Sequence, residues 1–117
     1  MALIRRGEVW VARLNPNQCA EVCKVRPVVV IQADLLTQAD LPNVLVVPLT
    51  MQMRRGAELL RVWIRARDRL LRDCYAMAEQ PRALDRVRLR EGPLTTLTAE
   101  ELLKLEQALL LVMGLSS

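Results

Sequence analysis

The chain lacks histidine and phenylalanine and holds only two tryptophans and one tyrosine among its 117 residues. Without histidine, the ribonuclease arrangement of two imidazoles as general acid and base is excluded, and so are Ser-His and Cys-His nucleophile pairs. Without phenylalanine the core has to be aliphatic, and since 52% of the residues are hydrophobic, Leu, Val and Ile carry the packing. Stacking platforms for bases are nearly absent too, because Trp10 lies in a segment that reads as a core strand.

Long apolar runs are also missing. The start, Met1-Ala2-Leu3-Ile4-Arg5-Arg6, turns polar before any signal-peptide h-region develops, and no stretch approaches the length of a membrane span. A soluble, cytoplasmic protein is the expectation. Three cysteines, Cys19, Cys23 and Cys74, are an odd number for a disulfide framework and read as free thiols. Neither GxxxxGK[ST] nor GxGxxG occurs, so nucleotide-binding loops are excluded. Asp34 and Asp40 are the closest acids of the middle loop, and nothing completes a carboxylate cluster around them. Chemistry without metal or cofactor is therefore expected. No Pro/Gly/Ser-rich linker divides the chain, which reads as a single domain over residues 1–117.

What is present is positive charge. Seventeen basic residues against thirteen acidic ones give +4, and all the basic residues but Lys24 and Lys104 are arginine. Arginine offers a rigid fork of donors suited to phosphate and base edges, so the balance leans toward nucleic acid. A GC-rich genome writes the same ratio, which leaves composition a weak argument by itself.

Hydrophobic patterning predicts five strands, at Gly7–Leu14, Val25–Gln32, Val44–Thr50, Leu59–Ile64 and Asp73–Glu79. The consecutive aliphatics Val28 to Ile31 and Val44 to Val47 mark strands covered on both faces. Residues 85–90 read as a single helical turn before Gly92-Pro93. Thr98-Ala99-Glu100-Glu101 is a capping box that opens a helix running to about Met113 and stopped by Gly114. Leu102, Leu103, Leu105, Leu109, Leu110, Val112 and Met113 fall on about half its circumference. Strands followed by one terminal helix predict an α+β fold, mainly β: a small, strongly bent antiparallel barrel closed on one side by the helix.

The polar residues at loop edges are Glu21 in the first loop, Arg26 before the proline of the second strand, and Thr50 at the close of the third. By spacing alone each has an ordinary reading as a loop acid, a solvated strand-start charge or a turn residue. Their setting changes the odds. Arg6-Gly7-Glu8-Val9-Trp10, Asn15-Pro16, Glu21 five residues before Arg26-Pro27-Val28-Val29-Val30-Ile31-Gln32, Asp34, and Val47-Pro48-Leu49-Thr50 follow in order. Arg72-Asp73-Cys74-Tyr75, Glu79-Gln80-Pro81-Arg82, Asp85, Arg88-Leu89 and the leucine-rich helix complete the series. From about residue 5 to 115, this order resembles the MazF/PemK family of type II toxin–antitoxin toxins.

The resemblance implies an SH3-like barrel of the CcdB/PemK type that dimerises with itself and cleaves single-stranded RNA, such as mRNA, at a short sequence without metal. It also implies a cognate, MazE-like antitoxin whose flexible tail occupies the RNA groove at the dimer interface. The family's catalytic arginine and threonine fall on Arg26 and Thr50. Attack of a ribose 2′-hydroxyl on phosphorus concentrates charge on the non-bridging oxygens, which a guanidinium beside a hydroxyl donor stabilises. A 2′,3′-cyclic phosphate and a 5′-hydroxyl are the expected products. Arg26 is too basic to act as the general base; Glu21 and Glu79 are the candidate carboxylates. Substrate choice is expected in the loops Asn17–Val25 and Met51–Glu58, where Lys24, Arg54 and Arg55 hold phosphates. Gln80 and Arg82 are further RNA-contacting candidates. The competing readings are a non-catalytic barrel toxin or binding module acting on a protein target such as a DNA topoisomerase, and a structural homodimer with a basic surface. The presence of both Arg26 and Thr50 favours the enzyme.

Overall fold

The computed structural model of the chain describes residues 3–14 and 25–115. The strands are β1 (Glu8–Arg13), β2 (Val25–Val30), β3 (Asn43–Thr50), β4 (Arg61–Ile64), β5 (Cys74–Met77), β6 (Arg82–Asp85) and β7 (Leu89–Thr96), with helices α1 (Asp34–Gln38) and α2 (Ala99–Val112). The five expected strands are all present. The expectation missed β6, β7 and α1. Residues 86–88 form a 3-10 turn within the predicted span, capped by the Asp85 carboxylate, which accepts from the Val87 amide at 3.0 Å.

The strands form one antiparallel sheet in the order β4-β5-β3-β2-β1-β7, and β6 pairs separately with β3. β3 divides one of its edges between two partners: Asn43 to Val46 pair with β6, and Leu49 and Thr50 pair with β5. The sheet does not close into the predicted barrel, because the outer strands β4 and β7 do not pair with each other and α2 packs against β4 instead.

Strand alternation sorts the core into two layers. Val9, Val29, Val47 and Leu49 join Ile64, Leu105 and Leu109 beneath α2, whereas Trp10, Ala12, Val28, Val30, Val44 and Val46 fill the opposite face. Successive valines of β2 and β3 thus point into different cores, which is why these strands carry no polar alternation. Trp10 is packing, 3% exposed, with its indole N–H donating to Glu8 at 3.0 Å.

The capping box forms as read. Thr98 Oγ1 accepts from the Glu101 amide at 3.1 Å, and Glu101 returns a bond to the Thr98 amide at 2.9 Å. Gly114, at φ +75°, takes the left-handed conformation that ends the helix at little cost. The buried stripe of α2 is narrower than expected: Leu105, Ala108 and Leu109 are buried and Leu102 is partly so, while Leu103, Leu110, Val112 and Met113 are exposed.

Glu101 also joins the helix to the segment after β4. It accepts both terminal nitrogens of Arg67, at 2.6 and 3.0 Å, and the Arg65 amide at 3.3 Å. Burial pushes the Glu101 carboxyl up, but these bonds, the Thr98 amide and the Arg67 charge outweigh it and hold the group below the usual carboxylate range.

Gly92 in β7 lies so close to Trp10 that a Cβ would sit 2.5 Å from the indole Cδ2. Gly92→Ala is expected to lower stability by about 1–3 kcal/mol, read as a shift of the urea midpoint. Glu101→Gln keeps a capping side chain but loses the charge, and is expected to cost about 1–3 kcal/mol at neutral pH. Because the folded carboxyl titrates below its ordinary 4.5, its stabilisation is complete above that pH and is lost as pH falls through the folded value. The wild-type and Glu101→Gln stability curves therefore converge in acid.

Candidate active site

The β2–β3 ladder sets the site. Val30 pairs with Val46, Val29 with Val47 and Val28 with Pro48. Arg26 and Thr50 lie two residues beyond the last of these pairs, on the two strands that the ladder joins. Both are partly buried and both line a groove of about 840 Å³. Thr50 Oγ1 accepts the Gln52 amide at 3.2 Å. A hydroxyl has one hydrogen and two lone pairs, so this bond fixes the oxygen and leaves its hydrogen to donate to an incoming oxyanion.

Charge in the groove is of one sign. Arg26, Arg54, Arg61, Arg69 and Arg72 line it, and its described lining contains no Asp or Glu. Gln52 and Gln80 supply neutral amides, and Met51, Met53 and Leu71 form an exposed apolar wall. Arg72 rests its Nη1 3.9 Å from the Met51 sulfur, and Arg69 is paired with Glu91. Cys74 lies at the floor and donates its thiol to the Arg72 carbonyl at 3.3 Å. Burial, followed by the neighbouring Asp73 charge, pushes that thiol up, so it stays protonated at neutral pH.

The structure therefore brings Arg26, Thr50, Arg54 and Gln80 to one groove. Arg55 is exposed beyond its lining, and Arg82 lines a neighbouring cleft while its Nη2 meets Gln80 Oε1 at 3.5 Å. Glu21 and Lys24 lie outside the described residues, as do Cys19 and Cys23. Glu79 is absent from the groove lining and is engaged elsewhere: its Oε2 accepts Arg61 Nη2 at 2.7 Å and Nε at 3.2 Å, while Arg61 Nη1 donates to the Gln52 carbonyl at 2.8 Å. Glu79 Oε1 is buried with no hydrogen-bond partner among the described residues.

Residues 5–113 match the family model described as PemK-like, MazF-like toxin of type II toxin–antitoxin system. The chain belongs to this family. Solved structures agree on the fold. A MazF from Deinococcus radiodurans superposes with TM-score 0.78 at 18% identity, covering 97% of this chain and 99% of its own. An endoribonuclease from a mycobacterial species, solved in complex with its cognate antitoxin, gives 0.76 at 21% identity over 97% and 98% of the two chains. The Mycobacterium tuberculosis toxin MazF-mt6 gives 0.76 at 20% identity over 94% and 99%.

In this MazF-like toxin three groove arginines escaped the sequence reading. Arg61 sits in a strand, where a charge reads as solvent-facing, yet its side chain is 5% exposed. Its partner is eighteen residues away, beyond any local pattern. Arg69 and Arg72 lie on the connection between β4 and β5, where the repeated basic positions 65, 67, 69 and 72 were the available signal. The Arg61–Glu79 pair carries a prediction for stability. Arg61→Met alone strands a partly buried carboxylate and is expected to destabilise the fold by about 3 kcal/mol or more. Arg61→Met combined with Glu79→Leu should recover most of that loss in a urea titration.

Proposed function

We propose that this toxin is a sequence-specific endoribonuclease that cleaves single-stranded mRNA without a metal ion, acts as a homodimer and is neutralised by a MazE-like antitoxin. The observation that carries this reading is the juxtaposition of Arg26 and Thr50 in a groove lined by five arginines and, among its described residues, by no carboxylate. Such a groove attracts a polyanion and repels nothing in it, and its charge falls where a phosphodiester would lie. Family membership supports the toxin role, and the solved complex of a related fold with its antitoxin supports the partner.

RNA enters along the groove with a phosphate between Arg26 and Thr50. The Arg26 guanidinium neutralises charge building on the non-bridging oxygens as the 2′-hydroxyl attacks phosphorus, and the Thr50 hydroxyl donates to the same group. The 2′-oxygen–phosphorus bond forms, the phosphorus–5′-oxygen bond breaks, and the leaving oxygen takes up a proton. The ends left are a 2′,3′-cyclic phosphate and a 5′-hydroxyl. A protonated arginine beside the leaving oxygen is suited to donate that proton; the described groove lining holds no carboxylate, and the 2′-hydroxyl proton passes to water as the new bond forms.

Incubating the purified protein with a long single-stranded RNA in EDTA, then mapping cut sites and end groups, tests the reading. Discrete cuts sharing a short sequence and carrying cyclic phosphate are expected; intact RNA from a folded protein would overturn it. Arg26→Ala should lower the single-turnover rate about a hundredfold or more, as loss of one transition-state donor does. Thr50→Val should lower it about tenfold, near the worth of one neutral hydrogen bond.

A further inference from the structure

A second basic cleft adjoins the groove. Arg82, Leu84, Asp85, Arg88 and Leu14 line a recess of about 490 Å³. Two seams join it to the groove. Gln80 lines the groove, and its Oε1 meets Arg82 Nη2 at 3.5 Å. Val25 also lines the groove and pairs across the ladder with Arg13, whose carbonyl accepts Arg88 Nη1 at 3.3 Å.

Arg88 is held by backbone carbonyls, and Arg82 reaches the Gln80 side chain. Arg82 begins β6, where its main chain pairs with Val46 of β3 and sets the base of its side chain at the edge of the cleft. Arg88 ends the 3-10 turn, and its Nη1 is shared by the Arg13 and Leu14 carbonyls, each at 3.3 Å. Asp85, the acid of the cleft, has one oxygen occupied by the Val87 amide, so it serves the turn that presents Arg88. Guanidinium forks match the oxygens of a phosphate, and one already anchored, as Arg88 is, loses less freedom on binding.

We propose that Arg82 and Arg88 form a phosphate clamp for the RNA backbone beside the cutting site. This inference rests on the endoribonuclease reading and adds to it a track: nucleotides flanking the cut run past Gln80 and place a phosphate between the two forks. The contact carries no sequence information and adds affinity and register. The toxin's footprint on RNA is then longer than the sequence it recognises.

The test uses single-stranded 2′-O-methyl RNA of about 20 nucleotides, longer than a typical site. It has no 2′-hydroxyl to attack with and stays intact, so binding is read by fluorescence anisotropy independently of cleavage. Arg88→Gln is expected to weaken binding about tenfold and to reduce the slope of log affinity against log salt by about 0.7, the share of one single-strand phosphate. Arg65→Gln, an exposed arginine at the β4 and α2 side, controls for net charge and should leave the slope near its wild-type value.

Arg82→Gln, which disturbs no backbone tether, is the second variant and should behave like Arg88→Gln. Circular dichroism confirms that each variant is folded. Losses no larger than that of Arg65→Gln, or an unaltered salt slope in both cleft variants, would overturn the clamp. Cleavage of unmodified RNA by the same wild-type preparation reports separately on the endoribonuclease reading.

Discussion

The antiparallel pairing of β2 with β3 is the interaction on which the rest depends. Hydrogen-bond register in a ladder is all-or-none, because a slip of one residue sends every side chain to the opposite face. Here both faces of β2 and β3 are packed, with Val29 and Val47 in one core and Val28, Val30 and Val46 in the other. A slip would expose or crowd both layers at once. Arg26 and Thr50 lie two residues beyond that ladder and line one groove, so the aliphatic packing that enforces the register also positions the proposed chemistry.

Around that pair the fold solves an electrostatic problem. Several arginines are gathered in the groove proposed to take RNA, and their mutual repulsion has to be contained in the free protein. The counter-charges sit behind the groove, with Glu79 on Arg61 and Glu91 on Arg69, while the described groove lining stays free of carboxylate. Arg61, nearly enclosed and bonded to both Glu79 and the Gln52 carbonyl, is a brace of the groove wall. Pairing with acids outside the lining leaves the groove itself without negative charge, which suits the polyanionic substrate proposed above.

Much of this was legible in the sequence, and the failures have physical causes. The valine runs and the capping box of α2 announce themselves because they are local signals. β7 was hidden by Gly92-Pro93, which reads as a turn; the strand tolerates them because Gly92 passes close against Trp10 and because its pairing with β1 is irregular, with register shifts on either side of Val11. β6 is only four residues long and follows a proline, and α1, at five residues, is too short to show helical periodicity. In the site, Arg26, Thr50, Arg54 and Gln80 line the groove, Arg26 and Thr50 having been picked out by resemblance to a family rather than by spacing. Arg61 and its tie to Glu79 were invisible because an ion pair between a strand and a turn eighteen residues away is a property of the fold.

The central claim, that Arg26 and Thr50 act on one phosphate, is tested most directly by a double-mutant cycle on single-turnover cleavage. Rates would be measured for the wild type, Arg26→Ala, Thr50→Val and the combined variant on one RNA substrate. Two groups that stabilise the same transition state are expected to be strongly non-additive, with the combined variant cutting little more slowly than Arg26→Ala alone. Losses that multiply independently, or either single variant cutting at the wild-type rate, would contradict the account.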